Sequence, residues 1–274
     1  VLKVGILGAK GQLGRELVRV FGNAAIAYDR SHCDFRDTFH LRDDMLIHNK
    51  CAVVINATAL NNVDLAEAKP ASFIDINGAS VMRLAHVCED MNVPMIHFST
   101  DYVFDGTAKF PYYEDAVTNP INNYGRSKLI GEMGIKMLHP RVSIIRTAGL
   151  YGKGGSKDKH GNFIDRIARK AQSGPVQVVV DQVTTPTYAK DLAEAVWQNL
   201  ELFYSEGGVY HLTNEGECDW FRFAQEFIDP HKLIAVSADS LNLPAKRPKY
   251  SVLENSKLPK LRPWEDALHD YLKR

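Results

Sequence analysis

The sequence is poor in cysteine, carries no surplus of charge of either sign and contains no long apolar run, and each shortage removes a class of protein. Its four cysteines, Cys33, Cys51, Cys88 and Cys218, are solitary. Without a Cys-x-x-Cys pair there is no disulfide framework and no thiolate metal knuckle, so all four read as packing residues. The ten histidines never stand three or four apart; no helix offers two imidazoles to one ion, and no metal is expected. Thirty-three Lys plus Arg balance 33 Asp plus Glu, so no broad field draws nucleic acid or an anionic membrane surface. An anionic ligand must be held by local geometry. No stretch approaches the ~18–20 apolar residues of a membrane helix, and residues 1–8 read as a strand, not a signal peptide. The expectation is a cytoplasmic protein without membrane or nucleic-acid partners.

What is present is the composition of a globular chain that buries a full core: 274 residues, 45% apolar and 24% charged. The first half alternates short β-branched runs, at 4–7, 24–28, 52–55, 93–98 and 142–145, with amphipathic stretches at 12–21, 36–48, 71–91 and 123–138. This alternation predicts repeated βαβ units: an α/β fold with a doubly wound parallel sheet and ligands outside the carboxyl ends of its strands. After Tyr151 a glycine-rich polar stretch, 152–161, marks the change to a smaller α/β substrate-binding lobe. The division is residues 1–150 and 151–274, some segments of the second part returning to the main sheet. There the pattern gives a helix from about 162, a strand at 176–180, a helix at 191–203, a strand at 209–212 and a closing helix from Pro263. Trp197, Trp220 and Trp264 fall in helical patterns and read as core anchors, and Glu16 as a surface glutamate.

Gly8, Gly11 and Gly14 lie where the first strand turns into the first helix. Missing Cβ atoms and the unpaired N–H groups of a helix start suit a pyrophosphate, although the spacing is G-x-x-G-x-x-G and also fits a plain turn. Asp29, at the end of the second strand, can accept both hydroxyls of an adenosine ribose, which favours NAD; Arg30 can pair a 2′-phosphate, which favours NADP. The choice stays open. Asn56-Ala57-Thr58-Ala59 closes the third strand with small residues over which a dinucleotide can lie.

Tyr124 and Lys128 are four apart at the start of a helix, hence on one face of it. A lysine charge there would favour a phenolate and lower the tyrosine pKa, and could also hold a nicotinamide ribose. Ser99-Thr100-Asp101 ends the fourth strand, where the Thr100 hydroxyl can hydrogen-bond a developing oxyanion. Together these parts read as a Thr-Tyr-Lys reductive site.

The runs 8–14, 62–67 (NVDLAE), 99–106 (STDYVFDG), 124–128 (YGRSK) with Gly131-Glu132, 146–152, 161–163, 181–187 and 247–253 (RPKYSVL) resemble the dTDP-4-dehydrorhamnose reductase family of extended short-chain dehydrogenase/reductases. The likeness covers nearly the whole chain. It implies a Rossmann-type fold and NADPH- or NADH-dependent reduction of the C4 ketone of a 4-keto-6-deoxy sugar on a nucleoside diphosphate. It implies Tyr124 as proton donor, Lys128 as ribose ligand and tuner of Tyr124, and Thr100 as polariser of the ketone. Gly11, Gln12 and Leu13 would meet the cofactor diphosphate, and Asp29, Asp34, Phe35, Ala59 and Leu60 would surround adenosine and nicotinamide. Val63, Asp101 and Tyr102 would line the sugar pocket, with Asn162 and Arg247 towards the nucleotide, and some relatives suggest a homodimer.

The chain departs from the family pattern at Leu60-Asn61 and at Gly149, where relatives carry a tryptophan beside the sugar; Tyr151 is expected to fill that space, or sugar choice to change. A 4,6-dehydratase is opposed by Tyr102 after Asp101, where an acid-base residue would be needed. A C4 epimerase remains open, as does a dinucleotide-binding regulatory subunit similar to that of methionine adenosyltransferase.

Overall fold

Six short strands form the centre of the molecule, and four of them are buried along their whole length. The computed structural model describes residues 2–29, 34–154 and 161–273. Arg30, Cys33 and residues 155–160 of the glycine-rich stretch lie outside the described residues. Strands β1 (Val4–Leu7), β2 (Ala25–Tyr28), β3 (Val53–Asn56), β4 (Met95–Thr100), β5 (Val142–Thr147) and β6 (Gly208–His211) lie in the order β6-β5-β4-β3-β1-β2. Every neighbouring pair is parallel. The order reverses between β1 and β3, and that switch point opens a crevice at the carboxyl ends.

Strand residues alternate between two layers, as a period of two requires. Val4, Ile6, Ile55 and Ile96 pack with Leu13, Leu17 and Phe21 of α1 (Gln12–Phe21) and Leu192 and Val196 of a later helix, Ala189–Gln198. On the other face Leu7, Val54, Met95 and Ile144 meet Leu84 and Cys88 of α2 (Ser80–Asp90) and Ile135 of α3 (Asn123–Leu138). Within the remainder, Tyr151, Tyr188, Phe223 and Trp264 gather into one apolar cluster, and Ile167, Val176, Val178 and Leu233 into another. Helix α4 (Phe163–Ser173) starts there on an Asn162–Asp165 capping box, and α5 (Ala189–Gln198) and α6 (Trp264–Leu272) follow.

The expected parallel sheet is present, and its elements differ from the sequence pattern in instructive places. The stretch expected as one helix at 71–91 is divided by a π-helical turn, Asp75–Ala79, that aims Asn77 inwards. The helix expected over 191–203 breaks at Asn199, whose amide bonds Ala195 O at 2.9 Å. The strand at Leu233–Val236, unforeseen in the sequence, pairs in parallel with Val176–Val179.

Trp197 is 45% exposed, edge-on to Phe21, and is no core anchor, whereas Glu16 is buried and paired with Arg19 at 2.7 Å. Cys51, Cys88 and Cys218 are buried and free. Tyr151 stacks on Tyr188 with ring centres 5.4 Å apart, inside the cluster beyond the sheet, and does not fill the space beside Gly149. Among the described residues no helix is long and apolar enough to cross a membrane.

Candidate active site

At the switch point β1 runs into α1 through the glycine turn. Gly8 and Ala9 donate their N–H groups to Tyr28 O, at 2.9 and 3.0 Å, which ties the turn to the end of β2. A Cβ on Gly14 would lie 2.1 Å from Gly8 O, so only glycine lets α1 start this close to the strand. The helix has no side-chain cap at Gly11, and its first turn, Gln12, Leu13 and Gly14, presents amide groups at the carboxyl edge of the sheet. This cradle fits the diphosphate of a dinucleotide. Asp29 stands beside it, 2.7 Å from Lys10 Nζ. Asp34 holds the Arg36 guanidinium, and Phe35 packs partly against the core rather than standing free. On the other side of the crevice Ala57 bonds back to Leu7 O, Ala59 is exposed, and Leu60 is held at both backbone N–H and C=O by Asn77, each at 2.9 Å.

The chemical groups converge at the end of β4. Thr100 is buried and its hydroxyl reaches both Asp101 Oδ1, at 3.0 Å, and the Tyr124 hydroxyl. Ser251 donates to Asp101 Oδ2 at 2.6 Å, so both carboxylate oxygens are engaged, and burial pushes the Asp101 carboxyl up to about 6. Tyr102 stands edge-on to Tyr124, ring centres 5.9 Å apart. The Thr147 hydroxyl, in register with Thr100 on β5, is buried with no partner among the described residues.

Tyr124 and Lys128 stand one turn apart on α3, capped by Asn122, and the Lys128 amine is bonded to β4 rather than to the phenol. Its Nζ lies 2.6 Å from Phe98 O and 3.1 Å from His97 Nε2, and burial brings its pKa down to about 8. The lowered tyrosine pKa expected from the Tyr-x-x-x-Lys spacing is therefore corrected: burial dominates, and Tyr124 is pushed up to about 12. Helix α3 is itself pinned to β5 by a buried pair in which Arg146 grips both oxygens of Glu132, the shortest contact being 2.7 Å.

Val63 opens the short helix Val63–Ala68, whose Asp64 receives two bonds from Arg247, at 2.9 and 2.7 Å. Arg166 of α4 and Tyr102 lie within electrostatic reach of that pair. Asn162 is engaged otherwise: it caps α4 and bonds Gly152 O and Tyr271 Oη, at 2.9 and 3.1 Å, so it sets the direction of the helix that carries Arg166. The sequence pattern gave no sign of Asn77, His97 or Arg166, and assigned Asn56 and Ser251 no role of their own. Asn56 and Ser251 both lay in runs already noticed, 56–59 and 247–253, whereas a histidine inside an apolar strand reads as core.

A parallel sheet with a glycine turn at its switch point and a Thr-Tyr-Lys group on its carboxyl edge defines a dinucleotide-binding protein of the short-chain dehydrogenase/reductase class. The chain belongs to the family described as the RmlD substrate binding domain, whose sequence pattern matches residues 2–274. It is 37% identical to a dTDP-4-dehydrorhamnose reductase of Streptomyces griseus, over 96% of this chain and 90% of that protein. Among solved structures it is similar to a dTDP-4-dehydrorhamnose reductase from Clostridium acetobutylicum, with TM-score 0.91, 34% identity and 99% of each chain covered. The corresponding protein of Bacillus anthracis, solved in complex with NADP, gives TM-score 0.90 and 29% identity, again over 99% of each chain.

Proposed function

We propose that the protein is an NAD(P)H-dependent reductase acting on the C4 ketone of a nucleotide-linked 4-keto-6-deoxy sugar, dTDP-4-dehydrorhamnose being the first candidate. The observation that carries this reading is the meeting of Thr100, Tyr124 and Lys128 on the same sheet edge as the glycine cradle. The names of the relatives support the substrate, and the NADP-bound relative supports the cofactor.

A bound reduced nicotinamide would supply the hydride for the C4 carbonyl, whose oxygen takes up negative charge as it is reduced. Tyr124 gives that oxygen its proton, and a phenol held at about 12 is fully loaded for the task at neutral pH. Thr100 donates its single hydroxyl proton to the same oxygen as charge develops, exchanging for that acceptor the Asp101 Oδ1 it bonds at 3.0 Å in this structure. Gln12, Leu13 and Gly14 would hold the diphosphate of that cofactor, Asp29 its adenosine ribose and Lys128 its nicotinamide ribose. Residues 151–274 serve mainly as the substrate lobe, with Tyr102, Val63 and the Arg247 side facing the sugar nucleotide. A homodimer and a cytoplasmic setting belong to the same proposal; sedimentation tests the first.

The test is oxidation of NADH or NADPH by dTDP-4-keto-rhamnose, followed by loss of reduced-nicotinamide absorbance. Tyr124→Phe is expected to lower kcat by about 10²–10⁴-fold with little change in dinucleotide affinity. Normal turnover in that variant, or turnover with no net consumption of the reduced cofactor, overturns the reading.

A further inference from the structure

Three residues before Thr100, β4 carries a fully buried histidine that the proposed reaction does not use. The two ring nitrogens of His97 meet different partners: Nδ1 lies 3.1 Å from the Asn56 amide nitrogen, and Nε2 lies 3.1 Å from Lys128 Nζ. The orientation of Asn56 is fixed independently. Its amide oxygen accepts the backbone N–H of Thr58 at 3.0 Å and the Thr58 hydroxyl at 2.6 Å. A backbone N–H can only donate, so the oxygen must face Thr58 and the NH2 must face His97.

That NH2 is also a donor, which makes Nδ1 the acceptor and places the single proton of a neutral ring on Nε2. A doubly protonated ring is disfavoured by burial and by Lys128 beside it. The Nε2–H then points at Lys128 Nζ. An ammonium there would set donor against donor, whereas a neutral amine accepts from Nε2 and still donates to Phe98 O at 2.6 Å. Moving the ring proton to Nδ1 only transfers the conflict to Asn56. All the contacts in this string are satisfied together when Lys128 carries no charge.

We propose that His97, oriented by Asn56, is a positioning residue that makes the neutral amine the satisfied resting form of Lys128, so that dinucleotide binding takes up one proton there. The inference rests on the reading of Lys128 as a cofactor-side residue. A dinucleotide brings negative charge and hydroxyl acceptors, both favouring the ammonium, and the balance is Lys128–NH2 plus one solvent proton giving Lys128–NH3⁺. The other groups around the lysine do not supply this coupling. Glu132, one turn along α3, is bound to Arg146; Asn77 meets α3 through the Ser127 hydroxyl and is uncharged. Tyr124, Tyr102 and Asp101 gather about Thr100, and none of them bonds Lys128 Nζ, whose partners are Phe98 O and His97 Nε2.

The experiment combines nitrogen NMR of the ligand-free protein with calorimetry of NADPH binding. His97 is expected as the Nε2–H tautomer; an Nδ1–H or doubly protonated ring overturns the proposal. At about pH 9, above the ionisation of ligand-free Lys128 and of the 2′-phosphate, binding measured in two buffers of different ionisation enthalpy is expected to take up about one proton. In His97→Gln the side-chain oxygen can accept from an ammonium, so the uptake is expected to vanish and the pH at which affinity falls to rise by about one unit. Should that variant not fold, Asn56→Asp reverses the demand on Nδ1 and is expected to abolish the uptake likewise. Uniformly weaker binding with proton uptake intact would mean a structural role only and sinks the proposal. Unchanged NADPH affinity in Lys128→Gln would instead sink the cofactor-side reading of Lys128, and the coupling with it, while leaving the His97 tautomer as measured.

Discussion

Asp101 shows how far a single buried group can shape behaviour. Its carboxyl, pushed up to about 6 by burial, keeps its proton in the folded protein over a range, from about 4 to about 6, where the unfolded chain has released it. The folded state binds more protons there, so this residue's contribution to stability is full below that range and is lost as pH rises through it. Asp101→Asn is expected to remove that slope, and urea midpoints of wild type and variant at pH 4.5 and pH 7, compared as a difference, measure it. Gly149 is a second case. Its φ of +52° is left-handed, and a Cβ would lie 3.0 Å from Pro186 Cα. The sequence showed that an aromatic was missing there but not that the backbone disfavours any side chain; Gly149→Ala is expected to cost about 1–3 kcal/mol by denaturant unfolding. The glycine turn, Thr100, Tyr124 and Lys128 were legible because each depends on spacing within one element. The direction of Lys128 was not, because it depends on His97 and Phe98, some 30 residues away in the chain, and no pattern along α3 carries that information.

Helix α3 bears both Tyr124 and Lys128, and its seating decides where they stand. Its outer face is exposed at Met133 and Met137, so its hold on the sheet comes from the inner one, where Glu132 and Arg146 form a buried bidentate pair. Arg146→Ala leaves Glu132 uncompensated in the interior and is expected to cost about 3–5 kcal/mol. Replacing both partners by apolar residues, Arg146→Met with Glu132→Leu, is expected to recover most of that loss, as thermal unfolding of the two variants will show. The helix itself, 123–138, could be read from the sequence to the residue, although the face it buries includes Ser127, Lys128 and Glu132 beside its glycines and Ile135. The stretch at 71–91 could not be read so well. Its apolar spacing is helical throughout, and the π-helical turn that breaks it serves Asn77, which ties Leu60 to Ser127 across the site. A local pattern records the period of a helix; it does not record a demand made by a distant backbone.

At the scale of the whole molecule the two halves of the chain are interlaced. The Gly208–His211 strand joins the main sheet beside β5, yet in sequence it lies between Val176–Val179 and Leu233–Val236, which pair with each other elsewhere. Helix α5 from the same half covers α1, and Arg19 reaches Glu194 across that contact at 3.1 Å. Residues 151–274 expressed alone are therefore expected to lack cooperative unfolding by circular dichroism, since their core is shared. The alternation of strands and helices predicted the parallel sheet because both faces are covered and each of its first five strands carries a short apolar stretch. The pairing of Val176–Val179 with Leu233–Val236 escaped notice because two four-residue strands more than fifty residues apart leave no periodic trace.

The edge position of Gly208–His211 also bears on how the protein comes into being. A chain made from its N-terminus completes β1 through β5 long before residue 208 emerges, and at ~5–20 residues per second the wait lasts several seconds. During that time Val142–Thr147, a fully buried strand in the finished molecule, has one side of its backbone ladder open. Such an edge is a template for pairing with any extended chain nearby. Production of this protein at high expression levels should thus be limited by aggregation through Val142–Thr147; slower translation lengthens that exposure, and a charge placed to block the edge would hinder the sheet's last strand.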